Sequence, residues 1–435
     1  MRNTLCAVVA LLMAACAQGA EGSSTAIKVE VVRTEHGYQL LRGGVPYTIR
    51  GAGMEVDDLA RFAAHGGNSI RNWTSEDDPW SIQALLDEAH AHGITVALCL
   101  AMKPERAKFD YDNPRAVARQ FQRLRQDVIR YRDHPALLFW IVGNELNHSY
   151  TNPRAYDAVN DVARMVRELD PNHPTTTTIS GFSREIVEEV SARATELDFI
   201  SFQLYGKLFT LPKLVREAKF DRPFMVTEWG TIGYWEMEKT PWGAPVELTS
   251  SEKADVLLRA HREVLSAFDG QLIGSYVFFW GQKQERTPTW FGLLQEHGLM
   301  TESVGVMQHL WTGSWPANRA PRVEAMRLDG KGAREGVTLV AGNTYAASFT
   351  VVDPEGDVLR YRWEVKPESR SKKVGGDFER PIGAVDGWLA QDAGAAATIT
   401  AKSPGKYRLF AYAYDGNGSV AHANIPFEVK RARAP

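Results

Sequence analysis

Strand-like and helix-like segments alternate eight times between residues 47 and 312, and this alternation constrains the fold more than any other feature. Short apolar runs typical of buried parallel strands are separated by longer segments with helical periodicity. The strand candidates are Tyr47–Gly51, Ser69–Trp73, Thr95–Leu100, Leu137–Val142, Thr175–Ile179, Phe199–Leu204, Phe224–Thr227 and Ile273–Phe279. Eight βα units in succession predict an α/β fold, a (β/α)8 or TIM barrel, over residues 27–313.

Helix start signals support this division of the chain. Asp78, Asn113 and Asn152 each precede a proline, which gives an N-cap acceptor followed by the residue preferred at the first helical position. Thr249 and Glu252 have the spacing of a capping box. We therefore expect helices to begin at these points.

The periodicity changes after a proline-interrupted linker at residues 314–321. Alternating strands then follow, separated by Gly, Pro, Asp and Asn. They are Tyr345–Val352, Leu359–Val365, Ala395–Thr400, Lys406–Tyr414 and Ala421–Val429. Residues 322–431 are predicted to form an all-β sandwich that resembles Ig-like and PKD domains, and that either binds carbohydrate or acts as a spacer.

Residues 1–20 have the pattern of a secretory signal peptide, with an apolar core at Leu5–Ala15 that is too short to span a bilayer. Two cleavage sites compete. Met13-Ala14-Ala15-Cys16 resembles a bacterial lipobox, which would make Cys16 a lipidated N-terminus, and an ordinary cut would fall at residues 17–20. We expect an exported protein, either a periplasmic or outer-membrane lipoprotein or a secreted one, with membrane contact only through such an anchor.

Charge and cysteine content exclude several functions. The 435 residues carry 50 basic and 53 acidic side chains, a net charge of −3, which argues against nucleic-acid binding by phosphate neutralisation. Of three cysteines, Cys6 and Cys16 lie in the signal region, so only Cys99 remains and no intrachain disulfide is possible in the folded part. Cys99 lies in an apolar run and is expected to be buried and unreactive.

No set of side chains indicates a catalytic metal or another cofactor, since the histidines are scattered. Asp353, Glu355, Asp357 and Asp415 of the C-terminal region could bind calcium, but acidic residues that form turns explain the same pattern. No pattern indicates an oligomeric state.

Two carboxylates follow apolar strands at the end where barrel enzymes place their active sites. Glu145 follows the fourth strand within Gly143-Asn144-Glu145, and Glu228 follows the seventh within Thr227-Glu228-Trp229-Gly230. Glycosidic bond cleavage needs such a pair, one to protonate the leaving oxygen and one to stabilise or attack the anomeric carbon. Either residue alone could be a loop salt bridge.

These two motifs resemble the catalytic signatures of clan A glycoside hydrolases, which are retaining (β/α)8 enzymes. The closest resemblance, over about residues 40–312, is to glycoside hydrolase family 2. It rests on the order and spacing of further short runs, which are Ile49–Gly53, Asn68–Arg71, Arg132–Trp140, Asp170-Pro171 and Arg222-Pro223.

The resemblance implies a role for each residue around the pair. Glu145 would be the acid/base and Glu228 the nucleophile. Asn144 would bond the 2-hydroxyl of the reacting sugar, Tyr205 would hold Glu228, and Arg71 would keep Glu228 ionised. Arg71 paired with a nearby acid, or Tyr205 packed in the barrel rim, are the structural alternatives.

Aromatic residues at strand ends are candidate sugar platforms, because the C–H face of a sugar stacks on an aromatic ring. The resemblance implies that Trp280 forms the floor of the reacting subsite, with core packing as the alternative, and Trp229 and Trp290 are further candidate contacts. The other candidates are Trp73, Trp80, Tyr234, Trp235, Trp242 and the polar run Gln282–Glu285.

The chain departs from the family pattern in two respects. Family 2 enzymes usually carry β-sandwich domains ahead of the barrel, whereas here the barrel follows the signal directly. The segment Gln203-Leu204-Tyr205 also lacks the Asn found two residues before the Tyr. Family substrates are therefore not inherited, and a more open cleft is expected.

The sequence thus predicts a retaining glycoside hydrolase that cleaves a β-linked oligo- or polysaccharide. If a sugar replaces water as the acceptor, the same site is a transglycosylase. Two alternatives are a non-catalytic glycan-binding protein on a barrel scaffold and an envelope scaffold whose sandwich carries the function.

Overall fold

The computed structural model describes residues 26–55, 58–73, 81–268, 270–373, 375–390 and 394–432. The signal region with Cys16, the helix start at Asp78 and the candidate platform Trp80 lie outside these residues. No helix in the described part of the chain is long and apolar enough to cross a membrane.

An antiparallel sheet opens the described chain and covers one end of the barrel. Its strands are β1 (Val29–Thr34), β2 (Gly37–Arg42) and β3 (Val45–Pro46). Val29 and Leu40 pack against side chains that fill the barrel interior, among them Phe139, Phe199 and Tyr276. This end of the barrel is therefore closed by apolar packing.

Eight parallel strands form a closed barrel, which confirms the predicted (β/α)8 architecture. They are β4 (Gly51–Gly53), β5 (Ser69–Arg71), β6 (Thr95–Leu100), β7 (Leu137–Asn144), β8 (Thr175–Ser180), β9 (Phe199–Gln203), β10 (Phe224–Trp229) and β11 (Leu272–Val277). The third predicted strand matches β6 at both ends. The first predicted strand, Tyr47–Gly51, lies too early, because pairing with β5 and β11 begins at Gly51.

One helix follows each barrel strand. The helices are α1 (Leu59–Ala64), α2 (Ile82–Ala91), α3 (Pro114–Tyr131), α4 (Arg154–Leu169), α5 (Arg184–Arg193), α6 (Leu211–Ala218), α7 (Ser250–Glu263) and α8 (Glu302–Thr312). Asn113 caps α3 by accepting the backbone N–H groups of Arg115 and Ala116. Thr249 and Glu252 form both bonds of the capping box that begins α7.

Side chains of β6 alternate between two apolar layers. In β6, Val96 and Leu98 face the helices, whereas Ala97 and Cys99 face the barrel interior. Burial raises the pKa of the Cys99 thiol to about 11. Cys99 is therefore a protonated core residue at neutral pH.

The C-terminal region is rich in β-sheet, which agrees with this part of the prediction. A short hairpin, β12 (Leu294–Gln295) and β13 (Leu299–Met300), precedes α8. After α8 come β14 (Arg322–Leu328), β15 (Val337–Val340), β16 (Thr344–Val352), β17 (Arg360–Pro367), β18 (Ala396–Thr400), β19 (Gly405–Tyr414) and β20 (Val420–Lys430). The sheets β14-β16-β18 and β15-β20-β19-β17 share one apolar core, and likeness to an Ig fold stays a prediction.

A buried polar cluster joins the barrel to the C-terminal region. The Glu247 carboxylate accepts hydrogen bonds from the Lys253 ammonium at 2.6 Å and from the Asn424 amide of β20 at 2.7 Å. The Arg408 guanidinium of β19 donates to the Pro245 carbonyl at 2.9 Å. We call this group the interdomain cluster, and its members are Glu247, Lys253, Thr287, Thr289, Arg408 and Asn424.

Candidate active site

Glu145 stands on a tight turn directly after β7. Gly143 has φ of +76° and Glu145 has φ of +47°, and a Cβ on Gly143 would lie 2.8 Å from the Leu146 side chain. The Glu145 N–H donates to the Thr178 carbonyl of β8 at 3.1 Å. This turn places the carboxylate in the wall of a cavity at the barrel mouth.

Glu228 lies in β10 and is held by two donors, one at the end of β5 and one in the segment after β9. The Arg71 guanidinium, at the end of β5 and wholly buried, forms an ion pair with one carboxylate oxygen. The Tyr205 hydroxyl donates to the other oxygen at 2.7 Å. Both predicted partners of Glu228 are therefore in contact with it.

The Asn144 side chain is fixed through its amide oxygen. That oxygen accepts from the Arg71 guanidinium, from the Thr178 hydroxyl at 3.0 Å and from the Gln203 amide at 2.9 Å. Because three donors converge on the oxygen, the amide nitrogen is the part left to bond a ligand. Asn144 lines the same cavity as the two glutamates.

The surroundings of Glu145 change the acidity of its carboxyl group. Burial, and then the nearby charge of Glu228, raise the pKa of Glu145 to about 8, against a hydrogen bond from Ser180 that lowers it. Burial and the charge of Glu228 also raise the pKa of Tyr205 well above its usual value. The cavity therefore holds a carboxylic acid that is protonated near neutral pH beside a carboxylate paired with a cation.

The cavity has a volume of about 570 Å³, within the range of small-molecule sites. Its aromatic lining comprises Trp73, Tyr205, Tyr234, Trp235, Phe278 and Phe279. The Trp73 ring packs against the Arg71 guanidinium carbon at 4.6 Å and over Gly53, where a Cβ would lie 2.5 Å from the ring. Flat apolar faces thus lie beside the acid pair, as sugar binding requires.

The structure corrects the prediction that Trp280, Trp229 and Trp290 contact the substrate. All three are at most 1% exposed, and none lines the cavity. Trp280 packs edge-on against Phe62 of α1, in the layer between the barrel and its helices. Trp229 lies in that same layer because it follows Glu228 along β10, and neighbouring strand residues point to opposite faces.

Trp290 is buried for a different reason. Its indole N–H donates to the Ile232 carbonyl at 3.0 Å, beneath the aromatic residues of the cavity wall. Of the other candidate platforms, Trp73, Tyr234 and Trp235 line the cavity, whereas Trp242 does not. In the polar run after β11, Lys283 and Glu285 line it.

Several lining residues were not identified from the sequence. Gln203 is two residues before Tyr205, where the family pattern has Asn, and its amide donates to Asn144. That spacing was the signal that could have assigned it. Lys373 and the glycines 375 and 376 come from the C-terminal region, which no local pattern relates to the barrel mouth.

The acidic residues considered for calcium form turn contacts. Asp353 accepts the backbone N–H groups of Glu355 and Asp357, and Asp415 accepts those of Asn417 and Ser419. Carboxylate oxygens of Asp353, Asp357 and Asp415 lie within 4.8 Å of one another. These contacts agree with the turn interpretation.

Comparison with known proteins is consistent with this site. Residues 64–235 match the model of the glycosyl hydrolases family 2, TIM barrel domain, a stretch that runs from α1 past Glu145 and Glu228. A β-galactosidase of Leuconostoc mesenteroides subsp. mesenteroides is 21% identical over 206 residues, which cover 43% of this chain and 18% of that enzyme.

Solved structures share the fold at low identity. A β-D-glucuronidase of Dictyoglomus thermophilum is 18% identical with a TM-score of 0.51, covering 67% of this chain and 54% of that chain. β-Glucuronidase 2 of Bacteroides uniformis is 14% identical with a TM-score of 0.50, covering 93% and 48%. This chain therefore spans about half the length of these structures, and less than a fifth of the β-galactosidase.

Proposed function

We propose that this protein is a β-glycosidase that works by retaining double displacement, with Glu228 as nucleophile and Glu145 as acid/base. One observation carries the proposal. A carboxylate held by Arg71 and Tyr205 and a carboxyl group with a raised pKa line the same cavity at the barrel mouth. Retaining cleavage of a glycosidic bond needs these two groups, a nucleophilic carboxylate and a carboxylic acid that donates a proton. The match of residues 64–235 to family 2 supports it.

In the first step, a Glu228 oxygen attacks the anomeric carbon, and the bond from that carbon to the leaving oxygen breaks. Glu145 transfers its proton to the leaving oxygen, which departs as a neutral hydroxyl group. The cationic Arg71 and the hydroxyl of Tyr205 each hold one oxygen of Glu228 and so orient the carboxylate in the cavity.

In the second step, the ionised Glu145 accepts a proton from water as the water oxygen attacks the anomeric carbon. The bond to Glu228 breaks, and the nucleophile returns to its ion pair with Arg71. Two displacements at one carbon retain its configuration. A sugar hydroxyl in place of water would give transglycosylation by the same atoms.

Binding in this proposal uses the residues around the pair. The Asn144 amide nitrogen donates to the 2-hydroxyl of the reacting sugar, because its oxygen is already occupied by three donors. The rings of Trp73 and Trp235 offer stacking faces within the cavity. The substrate class is a β-linked oligo- or polysaccharide.

A substrate panel tests the proposal. The protein is incubated with β-glucan, mannan, galactan and xylan oligosaccharides, and with aryl β-glucosides, β-galactosides and β-glucuronides. Products are followed by chromatography, mass and the NMR signal of the newly formed anomer. We expect β-configured first products, shorter products for hydrolysis and longer ones for transfer. A first product of α configuration, or full activity in Glu228→Gln, would contradict the mechanism.

We further propose that the protein is exported, either with a lipid anchor on Cys16 or after an ordinary cut at residues 17–20. The support is the sequence pattern at Met13–Cys16. Mass spectrometry of the N-terminus of the protein isolated from its native cell distinguishes a diacylglyceryl-modified Cys16 from a cut at residues 17–20. An unmodified N-terminus beyond Cys16 would contradict the anchor.

A further inference from the structure

A loop of the C-terminal region forms part of the catalytic cavity. Residues 369–379, which we call the cover loop, lie between β17 and β18, and residue 374 is outside the described residues. Lys373, Gly375 and Gly376 line the cavity that holds Glu145 and Glu228. The wall of the candidate active site is therefore built from two regions of the chain that are far apart in sequence.

Contacts with two barrel loops fix the cover loop in place. The Arg106 guanidinium, after β6, pairs with the Asp377 carboxylate at 2.7 Å. After β11, the Glu285 carboxylate accepts the Gly376 N–H at 3.3 Å, and the Arg286 N–H donates to the Glu379 carboxylate at 3.1 Å. The loop is thus anchored on both sides of the barrel mouth.

The cover loop also makes a close contact with an aromatic residue of the cavity wall. Gly375 packs on the Trp235 ring, where an added Cβ would lie 3.1 Å from the nearest ring atom. Trp235 follows β10, is 47% exposed and lines the cavity itself. The Trp235 ring and Gly375 of the cover loop are therefore in contact, with little room for a side chain at residue 375.

Lys373 differs from Arg106 and Lys283, two other cations that line the cavity. Arg106 is paired with Asp377, and Lys283 is paired with Glu285 at 2.9 Å. In the described residues, Lys373 has no carboxylate partner, and its ammonium donates to the Phe378 carbonyl at 2.6 Å. An ammonium has three donor hydrogens, so two remain for a ligand in the cavity.

We propose that the cover loop is a substrate-binding element and that Lys373 is a specificity-determining residue. Its ammonium donates to the hydroxyl or ring oxygens of sugar units beyond the one that reacts. This inference rests on the proposed function, because it takes a glycan as the ligand. Under this inference, the C-terminal region helps to select the substrate, in addition to packing against the barrel.

Binding in a non-cleaving background tests this proposal separately from turnover. The Kd values of β-linked gluco-, manno-, galacto- and xylo-tetrasaccharides, and of the matching methyl β-glycosides, are measured by calorimetry in Glu228→Gln. For the tetrasaccharide that binds best, adding Lys373→Ala should raise Kd about tenfold. The Kd of the matching methyl glycoside should rise much less.

Lys331→Ala is the matched control, since Lys331 is an exposed lysine of the C-terminal region that lies outside the cover loop and does not line the cavity. It should leave both Kd values unchanged. Asp377→Ala, which removes the pairing with Arg106, should weaken the tetrasaccharide in the same direction as Lys373→Ala. Thermal unfolding of each variant checks that the fold is intact.

Three results would overturn the inference. The first is an equal rise in Kd for the tetrasaccharide and the methyl glycoside in Lys373→Ala, and the second is an unchanged Kd for the tetrasaccharide. The third is that no tetrasaccharide binds. Tetrasaccharide binding that depends on Lys373, in a wild-type protein that cleaves none of the panel, would contradict the proposed function and leave this inference standing. If the wild type cleaves a member of the panel but tetrasaccharide binding is unchanged by Lys373→Ala, this inference is contradicted and the proposed function stands.

Discussion

Glu228 and Glu247 are both buried and paired with cations, and their surroundings differ in one decisive way. Glu247 of the interdomain cluster accepts from four donors, which are the Lys253 ammonium, the hydroxyls of Thr287 and Thr289 and the Asn424 amide. Glu228 accepts from Arg71 and Tyr205 and borders a cavity of about 570 Å³. The first site is closed by protein donors, and the second has room for a ligand.

Under the proposed function, this difference makes Glu247 a structural carboxylate and Glu228 a reactive one. Burial alone would raise the pKa of Glu247, but the charges of Lys253 and Arg408 lower it to about 2. With all its neighbours supplied by the protein, Glu247 links the barrel to the C-terminal region. Glu228 is also paired with a cation, but it lines the same cavity as Glu145, where the proposed reaction needs its carboxylate.

The largest effect is expected from Glu228→Gln. Removing the nucleophile should lower kcat on any cleaved substrate by about a thousandfold or more. The fold should persist, because the amide oxygen can still accept from Arg71. Steady-state rates and thermal unfolding measure both quantities. Glu238→Gln, at an exposed carboxylate paired with Arg334, is the control and should change neither.

Glu247→Gln should show the opposite pattern. It leaves the buried Lys253 ammonium without its counter-charge, which typically costs about 3–5 kcal/mol of unfolding free energy. Denaturant unfolding measures the loss, and kcat of the folded fraction should stay near the wild-type value. A variant with wild-type stability and a thousandfold lower kcat would reverse the proposed distinction between the two sites.

The same pair predicts a stability that depends on pH. Since the pKa of Glu247 is lower in the folded protein than in the unfolded chain, its ionisation stabilises the fold above its ordinary value of 4.5. That contribution should be lost as the pH falls from there towards 2. In Glu247→Gln, the free energy of unfolding should therefore fall less steeply over this pH range than in the wild type. An unchanged acid dependence would contradict the assignment.

A smaller effect is expected from Tyr205→Phe. The substitution removes one hydrogen bond to the Glu228 carboxylate, so kcat should fall roughly 10- to 100-fold, the cost of a hydrogen bond to a charged group. Tyr150→Phe is the matched control. It removes a hydrogen bond from a phenol to the Glu189 carboxylate away from the cavity, and its kcat should be that of the wild type.

The mildest test is the pH profile of kcat/KM. Glu145 must be protonated to act as an acid, and its pKa is raised to about 8, so the rate should fall as the pH rises through that value. In Glu145→Gln, aryl glycosides with highly acidic leaving groups, which need no protonation, should be cleaved without this alkaline decline. An alkaline limb that persists in Glu145→Gln on those substrates would assign it to another group.

The sequence predicted strand positions and the residues at strand ends well. Glu145 and Glu228 follow uninterrupted apolar runs, and a parallel barrel brings the carboxyl ends of all strands to one rim. Once the order of the strands in the barrel is known, Arg71 and Tyr205 can be placed close to this pair. The role assigned to each of them stays a prediction until it is tested.

The strand-end positions of the tryptophans were not enough to predict which of them line the cavity. Trp229 is next to Glu228, so the period-two alternation of a strand could have placed it on the helix side. For Trp280, strand-end position alone could not decide whether the ring points to the mouth or to α1. Lys373 was out of reach because its place in the cavity depends on how the C-terminal region packs on the barrel, which no local periodicity encodes.

Covalent trapping tests the central claim most directly. The protein is incubated with 2,4-dinitrophenyl 2-deoxy-2-fluoro-β-glycosides of the sugars in the panel, and the products are digested and mapped by mass spectrometry. A retaining nucleophile accumulates as a glycosyl-enzyme, so the account predicts one fluoroglycosyl group on the peptide that contains Glu228, and none in Glu228→Gln. A label on Glu145 instead, or hydrolysis of the parent glycoside to the inverted anomer without any label, would contradict it.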